Sequence, residues 1–206
     1  MSDTIHTPAT SSALPTDGPL ALFDQWYAEA RASEPNDSNA MALATATPEG
    51  RPSVRMVLMR GFDERGIVFF TNSESQKGIE LAENPRAALC FYWESLGKQI
   101  RVEGAVEKAT DEENDAYWQS RLRDSQLSAW ASQQSRELES REVYDAKVVE
   151  MIERFGEGEI PRPEHWYGYR VVPWRIEFWT ESRHRMHDRE VYEQSGDGWK
   201  TFLLDP

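Results

Sequence analysis

Apolar positions between residues 22 and 30 recur at helical spacing. Leu22, Phe23, Trp26, Tyr27 and Ala30 share one stripe, which predicts an amphipathic helix entered through Asp17-Gly18-Pro19 and closed near Glu34-Pro35. From residue 40 the pattern changes to that of strands. Met41–Thr47, Ser53–Arg60 and Ile67–Thr71 read as three strands, separated by turn signals at Pro48-Glu49-Gly50 and Asp63-Glu64-Arg65-Gly66. A helix from Ser75 to about Glu83 is stopped by Asn84-Pro85, and strands resume at Ala87–Trp93 and Gln99–Glu107.

The middle of the chain is helical. Asp111-Glu112-Glu113 supply acidic first-turn residues, an arginine-rich break is expected at 121–123, and Glu137–Phe155 reads as a long charged helix ended by Gly156, Gly158 and Pro161. Tyr167–Val172, Arg175–Trp179, Arg185–Tyr192 and Trp199–Leu203 read as closing strands, the last two joined by Ser195-Gly196-Asp197-Gly198. Hairpin-type spacing points to an antiparallel barrel or sandwich rather than a βαβ sheet, hence an α+β class with a β-barrel core. One domain over residues 17–206 is expected. Residues 1–16 are rich in Ser, Thr, Ala and Pro, lack aromatics, and are expected to form a flexible tail.

Composition narrows the classes. With 39% hydrophobic and 11% aromatic residues, the 206-residue chain can bury a sizeable core. Its 23 Lys and Arg stand against 36 Asp and Glu, a formal charge of −13 that disfavours nucleic acid as a partner. The single cysteine, Cys90, excludes an intramolecular disulfide framework and a cysteine-based zinc site, and its apolar run marks it as a buried small hydrophobe. No apolar run approaches the roughly 18–20 residues of a membrane helix, and no basic-then-apolar leader is visible. These features predict an acidic protein of the reducing cytoplasm, with neither a membrane nor a nucleic-acid partner.

Nucleotide-binding G-x-G-x-x-G and G-x-x-x-x-G-K-[ST] patterns are absent, as are G-x-S-x-G and H-E-x-x-H. Three cationic constellations stand out against the acidic average. In Arg183–Arg189, strand alternation would align Arg183, Arg185, His187 and Arg189 on one face, a costly arrangement without an anionic ligand or carboxylate partners. A metal at His184 and His187 is disfavoured by the same fixed charges, and no metal is expected. Tyr117, Arg121 and Ser125 follow i, i+4, i+8, so a continuous helix would present a hydroxyl, a guanidinium and a second hydroxyl as a phosphate clamp. A break near Arg123 would instead make Ser125 a cap of the next helix. The third set is Arg55 and Arg60 with Ser75 and Lys77, where a helix N-terminus could hold another phosphate. Trp93, Trp166, Trp174 and Trp179, each judged alone, read as core.

Taken together, RMVLMRGFDERGIVFFTN, RLRDSQLSAWASQQS, IEFW and RHRMHDR resemble the pyridoxine/pyridoxamine 5′-phosphate oxidase family, in order and nearly without gaps from about Asp17 to Pro206. The resemblance implies a split β-barrel homodimer with FMN at the subunit interface, oxidising pyridoxamine or pyridoxine 5′-phosphate to pyridoxal 5′-phosphate with O2 and releasing H2O2. It carries FMN contacts onto Arg55, Met56, Val57, Leu58, Phe70, Thr71, Lys77, Gln99, Gln134, Ser135, Trp179 and Arg189. It carries the substrate phosphate onto Arg60, Tyr117, Arg121 and Ser125, and the substrate ring onto Arg185, Met186 and His187. Arg185 and His187 are the implied catalytic pair, with His187 a proton acceptor. The sequence departs from the family at Arg60 (usually lysine), at Gln76 (usually arginine), at Tyr167 within Trp166-Tyr167-Gly168 (usually Trp-Gly-Gly), and before Leu203, where an arginine is usual. A related oxidase of dihydrophenazine precursors, and a non-catalytic FMN- or PLP-binding barrel, are the alternatives.

Overall fold

The structure is a computed structural model that describes residues 18–206, so the tail expected over residues 1–16 lies outside the described residues. Helix α1 (Pro19–Ser33) begins at the predicted proline and is followed by β1 (Ala40–Ala46), β2 (Pro52–Leu58), β3 (Gly61–Asp63) and β4 (Gly66–Asn72). Helix α2 (Gln76–Glu83), β5 (Arg86–Trp93) and β6 (Lys98–Lys108) come next, then α3 (Asp111–Ser120), α4 (Arg123–Ala131) and α5 (Arg141–Phe155). The chain ends with β7 (Trp166–Thr180), β8 (Asp188–Ser195) and β9 (Gly198–Leu203).

All nine strands form one antiparallel sheet whose main path runs β2-β1-β5-β6-β7-β4-β3, with β8 and β9 appended to β7. The two ends of that path are consecutive in sequence. Only Met59 and Arg60 separate β2 from β3; the Met59 amide donates to Asn39 at 2.9 Å and the Arg60 amide to Val68 at 2.8 Å. Opposite edges joined by two residues require the sheet to curl, which makes the α+β half-barrel. The expected strand Ser53–Arg60 is β2, ending at Leu58, and β3 is a further strand that the sequence reading did not anticipate, paired with β4 rather than with β1.

Other departures have local causes. The two strands expected at 167–179 are one, with Trp174 inserted as a bulge where the register shifts opposite Glu103 and Gly104. A bulge tolerates Pro173, which has no amide to give the ladder. Helix α5 starts four residues later than expected because Ser140 caps it, accepting from the Val143 amide. Residues 183–185 are a short 3₁₀ turn rather than strand, so the expected alternation of Arg183, Arg185, His187 and Arg189 does not form. The chain must reverse between Thr180 and its ladder partner Asp188, and His184 (φ 58°) and Arg185 (φ 62°) take left-handed conformations to do so.

Two apolar clusters hold the layers together. In the first, α1 covers one sheet face: Phe23 meets Phe62 and Phe91 edge-on at 4.9 and 5.3 Å, and Trp26 meets Phe178 at 5.1 Å. The second joins α3, α4 and α5 to β7 through Trp118, Leu127, Met151, Ile160 and Trp166. Trp93 and Trp166 are buried as expected, whereas Trp174 and Trp179 are half-buried. Cys90 is also only half-buried, on the sheet face away from α1, and burial pushes its thiol pKa up. It is a poor nucleophile there.

Candidate active site

A cavity of about 570 Å³ opens where the two clusters meet, walled by β2, β4 and the helices α2, α3 and α4. Arg55, Arg60, Lys77 and Arg121 line it, and among the described residues no carboxylate does. In a chain of net charge −13 this is a local inversion of sign.

Arg55 and Lys77 form one cationic corner. Ser75 caps α2, which sets Lys77 just inside the first turn with its stem buried. Its ammonium donates to Gln134 Oε1 at 2.8 Å, Thr71 Oγ1 at 3.2 Å and Ser75 Oγ at 3.3 Å. Burial, and secondarily the Arg55 charge, push the lysine pKa down to about 8. Arg55 projects from β2 to the β1 residues opposite, donating to Thr45 Oγ1 at 2.6 Å and Leu43 O at 3.2 Å, and to Ser53 Oγ at 2.6 Å. Glu80, buried one turn along α2, lies 3.4 Å from the same guanidinium and accepts from Ser53 at 2.6 Å, from Gln76 at 3.0 Å and from Thr45. Burial alone would raise the Glu80 carboxyl, but those donors and Arg55 hold it below the usual range. Sequence reading missed Glu80, although its i+3 spacing from Lys77 places both on one face of α2. Gln76 faces Glu80.

The second corner is built across a helix break. The chain bends at Arg121 and Leu122 between α3 and α4, so the continuous 117–125 helix does not exist. Ser125 sits in the first turn of α4, while Leu122 occupies the cap position. Tyr117, Arg121 and Ser125 nevertheless converge on the cavity. Tyr117 stacks on Phe70 at 4.1 Å, and Trp166 lies nearly parallel to both, 5.3 Å from Phe70 and 5.9 Å from Tyr117. Cations flank this aromatic slab: the Arg60 guanidinium is 5.6 Å from the Tyr117 ring centre and Arg121 is 4.7 Å from that of Trp166. Met56, Val57, Leu58, Phe70, Thr71 and Gln134 line the cavity as well; Asn72, Trp166, Ser128, Ala129 and Ser132 join them without having been read as site residues.

Gln99, Ser135, Trp179, Arg185, Met186, His187 and Arg189 do not line this cavity. Gln99, Trp179 and Arg189 stand in one row across β6, β7 and β8. His187 packs on Trp179 at 4.6 Å, and Arg189 donates to the buried Glu177 at 2.8 Å and to the Asp205 carbonyl at 3.0 Å. Arg185 and Met186 are exposed beside them, and Ser135 is exposed at φ 69°. His187 Nδ1 accepts the Ser182 amide at 3.2 Å, which leaves Nε2 to carry the proton of the neutral ring. The chain thus carries two clusters: a cationic cavity, and a Trp–His–Arg face outside it.

The family model for pyridoxamine 5′-phosphate oxidase matches residues 28–155. The chain belongs to the pyridoxamine 5′-phosphate oxidase family. A second match, to the pyridoxine 5′-phosphate oxidase C-terminal dimerisation region, covers residues 166–206. The pyridoxine/pyridoxamine 5′-phosphate oxidase of Sphingopyxis alaskensis is 55% identical over 203 residues, covering 98% of this chain and 94% of that protein. The Rhodospirillum rubrum enzyme of the same name is 53% identical, covering 95% and 100%. Among solved structures, PhzG from Burkholderia lata in complex with tetrahydrophenazine-1-carboxylic acid superimposes with a TM-score of 0.87 at 37% identity, covering 95% of this chain and 98% of that one. An FMN-binding protein related to pyridoxamine 5′-phosphate oxidase from Nostoc punctiforme shares the fold with a TM-score of 0.73 at 17% identity.

Proposed function

We propose that this member of the family is an FMN-dependent oxidase converting pyridoxamine 5′-phosphate and pyridoxine 5′-phosphate to pyridoxal 5′-phosphate. The observation that carries the reading is the cavity whose charged lining is wholly cationic, with Arg55 and Lys77 in one corner and Arg60 and Arg121 in the other. Two phosphate monoesters, one from a cofactor and one from a substrate, match two such corners. The donors present fit FMN: a buried ammonium, a serine-capped helix start and a forked guanidinium suit its phosphate.

When bound, FMN would supply two-electron redox chemistry between the substrate 4′ carbon and O2, with H2O2 as the reduced product. The amine substrate also consumes water and releases ammonia as its imine hydrolyses. The chain's own residues position and exclude. Arg60, Arg121, Tyr117 and Ser125 hold the substrate phosphate, and the Phe70–Tyr117–Trp166 slab limits water on that side. Arg185 and His187 orient the pyridine ring, with His187 donating from Nε2.

Those two residues lie outside the cavity of their own chain, so the reading includes a homodimer in which each protomer's Trp179–His187–Arg189 face closes its partner's cavity. Supporting this are the match to a dimerisation region at 166–206 and the apolar side chains exposed on β2 and β5, Val54, Met56 and Tyr92. A cytoplasmic location accords with the acidic, single-cysteine composition.

The likeness to PhzG favours one other reading, oxidation of reduced tricyclic phenazine precursors. An anaerobic mix of FMN-loaded protein with pyridoxamine 5′-phosphate separates them. Bleaching of the flavin absorbance supports the proposal; bleaching only with dihydrophenazine acids supports the alternative; FMN binding without bleaching by either leaves a non-catalytic flavin carrier.

A further inference from the structure

Arg170, on β7, is among the most buried charged side chains described, with 3% of its side chain exposed, and it touches nothing in the cavity. Its Nη1 donates to Asp63 on β3 at 2.7 Å and its Nη2 to Glu113 on α3 at 2.6 Å, while Glu107 lies 3.8 Å from Nε. Arg65 bonds the same two carboxylates from the solvent side, at 2.5 Å to Asp63 and 2.7 Å to Glu113. Glu113 is also half of a capping box, its carboxylate accepting the Thr110 amide at 2.9 Å while Thr110 accepts the Glu113 amide. Burial would raise the Glu113 carboxyl, yet these donors and charges bring it below its usual range.

The two elements clamped here adjoin or carry two residues of the substrate-phosphate wall, Arg60 just before β3 and Tyr117 on α3. Arg60 precedes Asp63 by three residues, and Tyr117 follows Glu113 by one helical turn on the same face. Two parallel rungs therefore cross from the β3 segment to α3: an ionic rung, Asp63–Arg170–Glu113, and a cation–π rung, Arg60 over Tyr117. A lone cation–π contact is weak and tolerates sliding. A guanidinium fork that gives one N–H to each of two carboxylates on different elements restrains both distance and rotation.

We propose that Arg170, through Asp63 and Glu113, is a positioning residue that sets the spacing of Arg60 and Tyr117 and thereby tunes recognition of the substrate phosphate. This rests on the reading of that corner as the substrate-phosphate site. Buried ion pairs commonly contribute little net stability relative to apolar replacements, whereas they do specify geometry in some systems.

The test compares wild-type holoenzyme with Glu113→Gln, Asp63→Asn and Arg170→Lys. Each should raise KM for pyridoxamine 5′-phosphate about ten-fold, with kcat changed less than about three-fold. Equilibrium binding of the unreactive 4-deoxypyridoxine 5′-phosphate should weaken by about the same factor, while FMN affinity and kcat/KM for unphosphorylated pyridoxamine stay within about two-fold. Variants that lower the melting temperature but leave both phosphate readouts unchanged overturn the proposal, as does an equal loss for the unphosphorylated amine. Asp63→Asn lies outside α3 and supplies the answer if Glu113→Gln fails to fold. A wild-type enzyme that neither binds the analogue nor oxidises pyridoxamine 5′-phosphate overturns the underlying functional reading instead.

Discussion

Lys77 Nζ lies 2.8 Å from Gln134 Oε1, a contact that ties the start of α2 to the loop after α4 across 57 residues of sequence. It places a buried ammonium with a depressed pKa in the wall of a cavity lined by no acid among the described residues, where a phosphate would be its natural counter-ion.

If the FMN phosphate is held at Lys77, as proposed, that pKa gives cofactor binding a pH dependence. Lys77 is pushed down to about 8 without ligand, and a bound phosphate raises it by favouring the charged form. Binding is thus strongest below about pH 8 and weakens as pH rises from there toward the ligated pKa. Fluorescence titration should show this fall in wild type and a flat profile in Lys77→Met, whose affinity at neutral pH drops by about ten-fold or more. Riboflavin, without the phosphate, should respond to neither change.

Arg121→Ala should raise KM for pyridoxamine 5′-phosphate and lower kcat/KM by about ten- to a hundred-fold, because one charged, partly desolvated contact to phosphate is lost. FMN affinity should be nearly unchanged in the same titration. Equal loss of both would place Arg121 at the cofactor rather than the substrate.

Arg185→Ala and Lys77→Met should each lose turnover, the first while retaining FMN. If the active site is shared between protomers, co-expressing the two variants produces mixed dimers carrying one intact site, and activity returns. Absence of any recovery would show that each protomer completes its own site.

Gly78→Ala probes the α2 corner through the backbone. A Cβ there would sit 2.2 Å from the Ser73 carbonyl oxygen, so the loop leading into α2 must move. The expected result is weaker FMN binding together with a lower melting temperature, although alanine is normally the better helix residue by about 1 kcal/mol. A more stable variant with normal FMN binding would contradict the geometry.

Phe23→Ala removes a fully buried ring that meets Phe62 and Phe91 edge-on, and should cost about 3–5 kcal/mol of folding stability in a denaturant titration.

Local pattern carried most of the fold. The helical stripe of α1, the helix start at Ser75 and the stops at Pro85 and Gly156 are set by contacts within a few residues, and a sequence exposes those directly. It also showed that arginine collects against the net charge, and the family resemblance supplied ligands for the three segments concerned.

What tertiary structure alone decided were the relations between distant segments. Periodicity would align Tyr117, Arg121 and Ser125 only on a continuous helix; the expected break at 121–123 is present, and the three converge across the bend at Arg121 and Leu122 between α3 and α4. The Arg183–Arg189 stretch looked like one cationic face, yet the reversal from β7 to β8 forces a 3₁₀ turn and sends its residues to a different surface from the cavity. Glu80 beside Arg55, and Arg170 between Asp63 and Glu113, pair groups 25 to 107 residues apart. No periodicity encodes such pairs, because they exist only after α2 packs against β1, β4 brings β3 alongside β7, and α3 docks on β7. The sequence by itself determined the elements and the chemistry they carry; the closure of the sheet decided which of those groups meet.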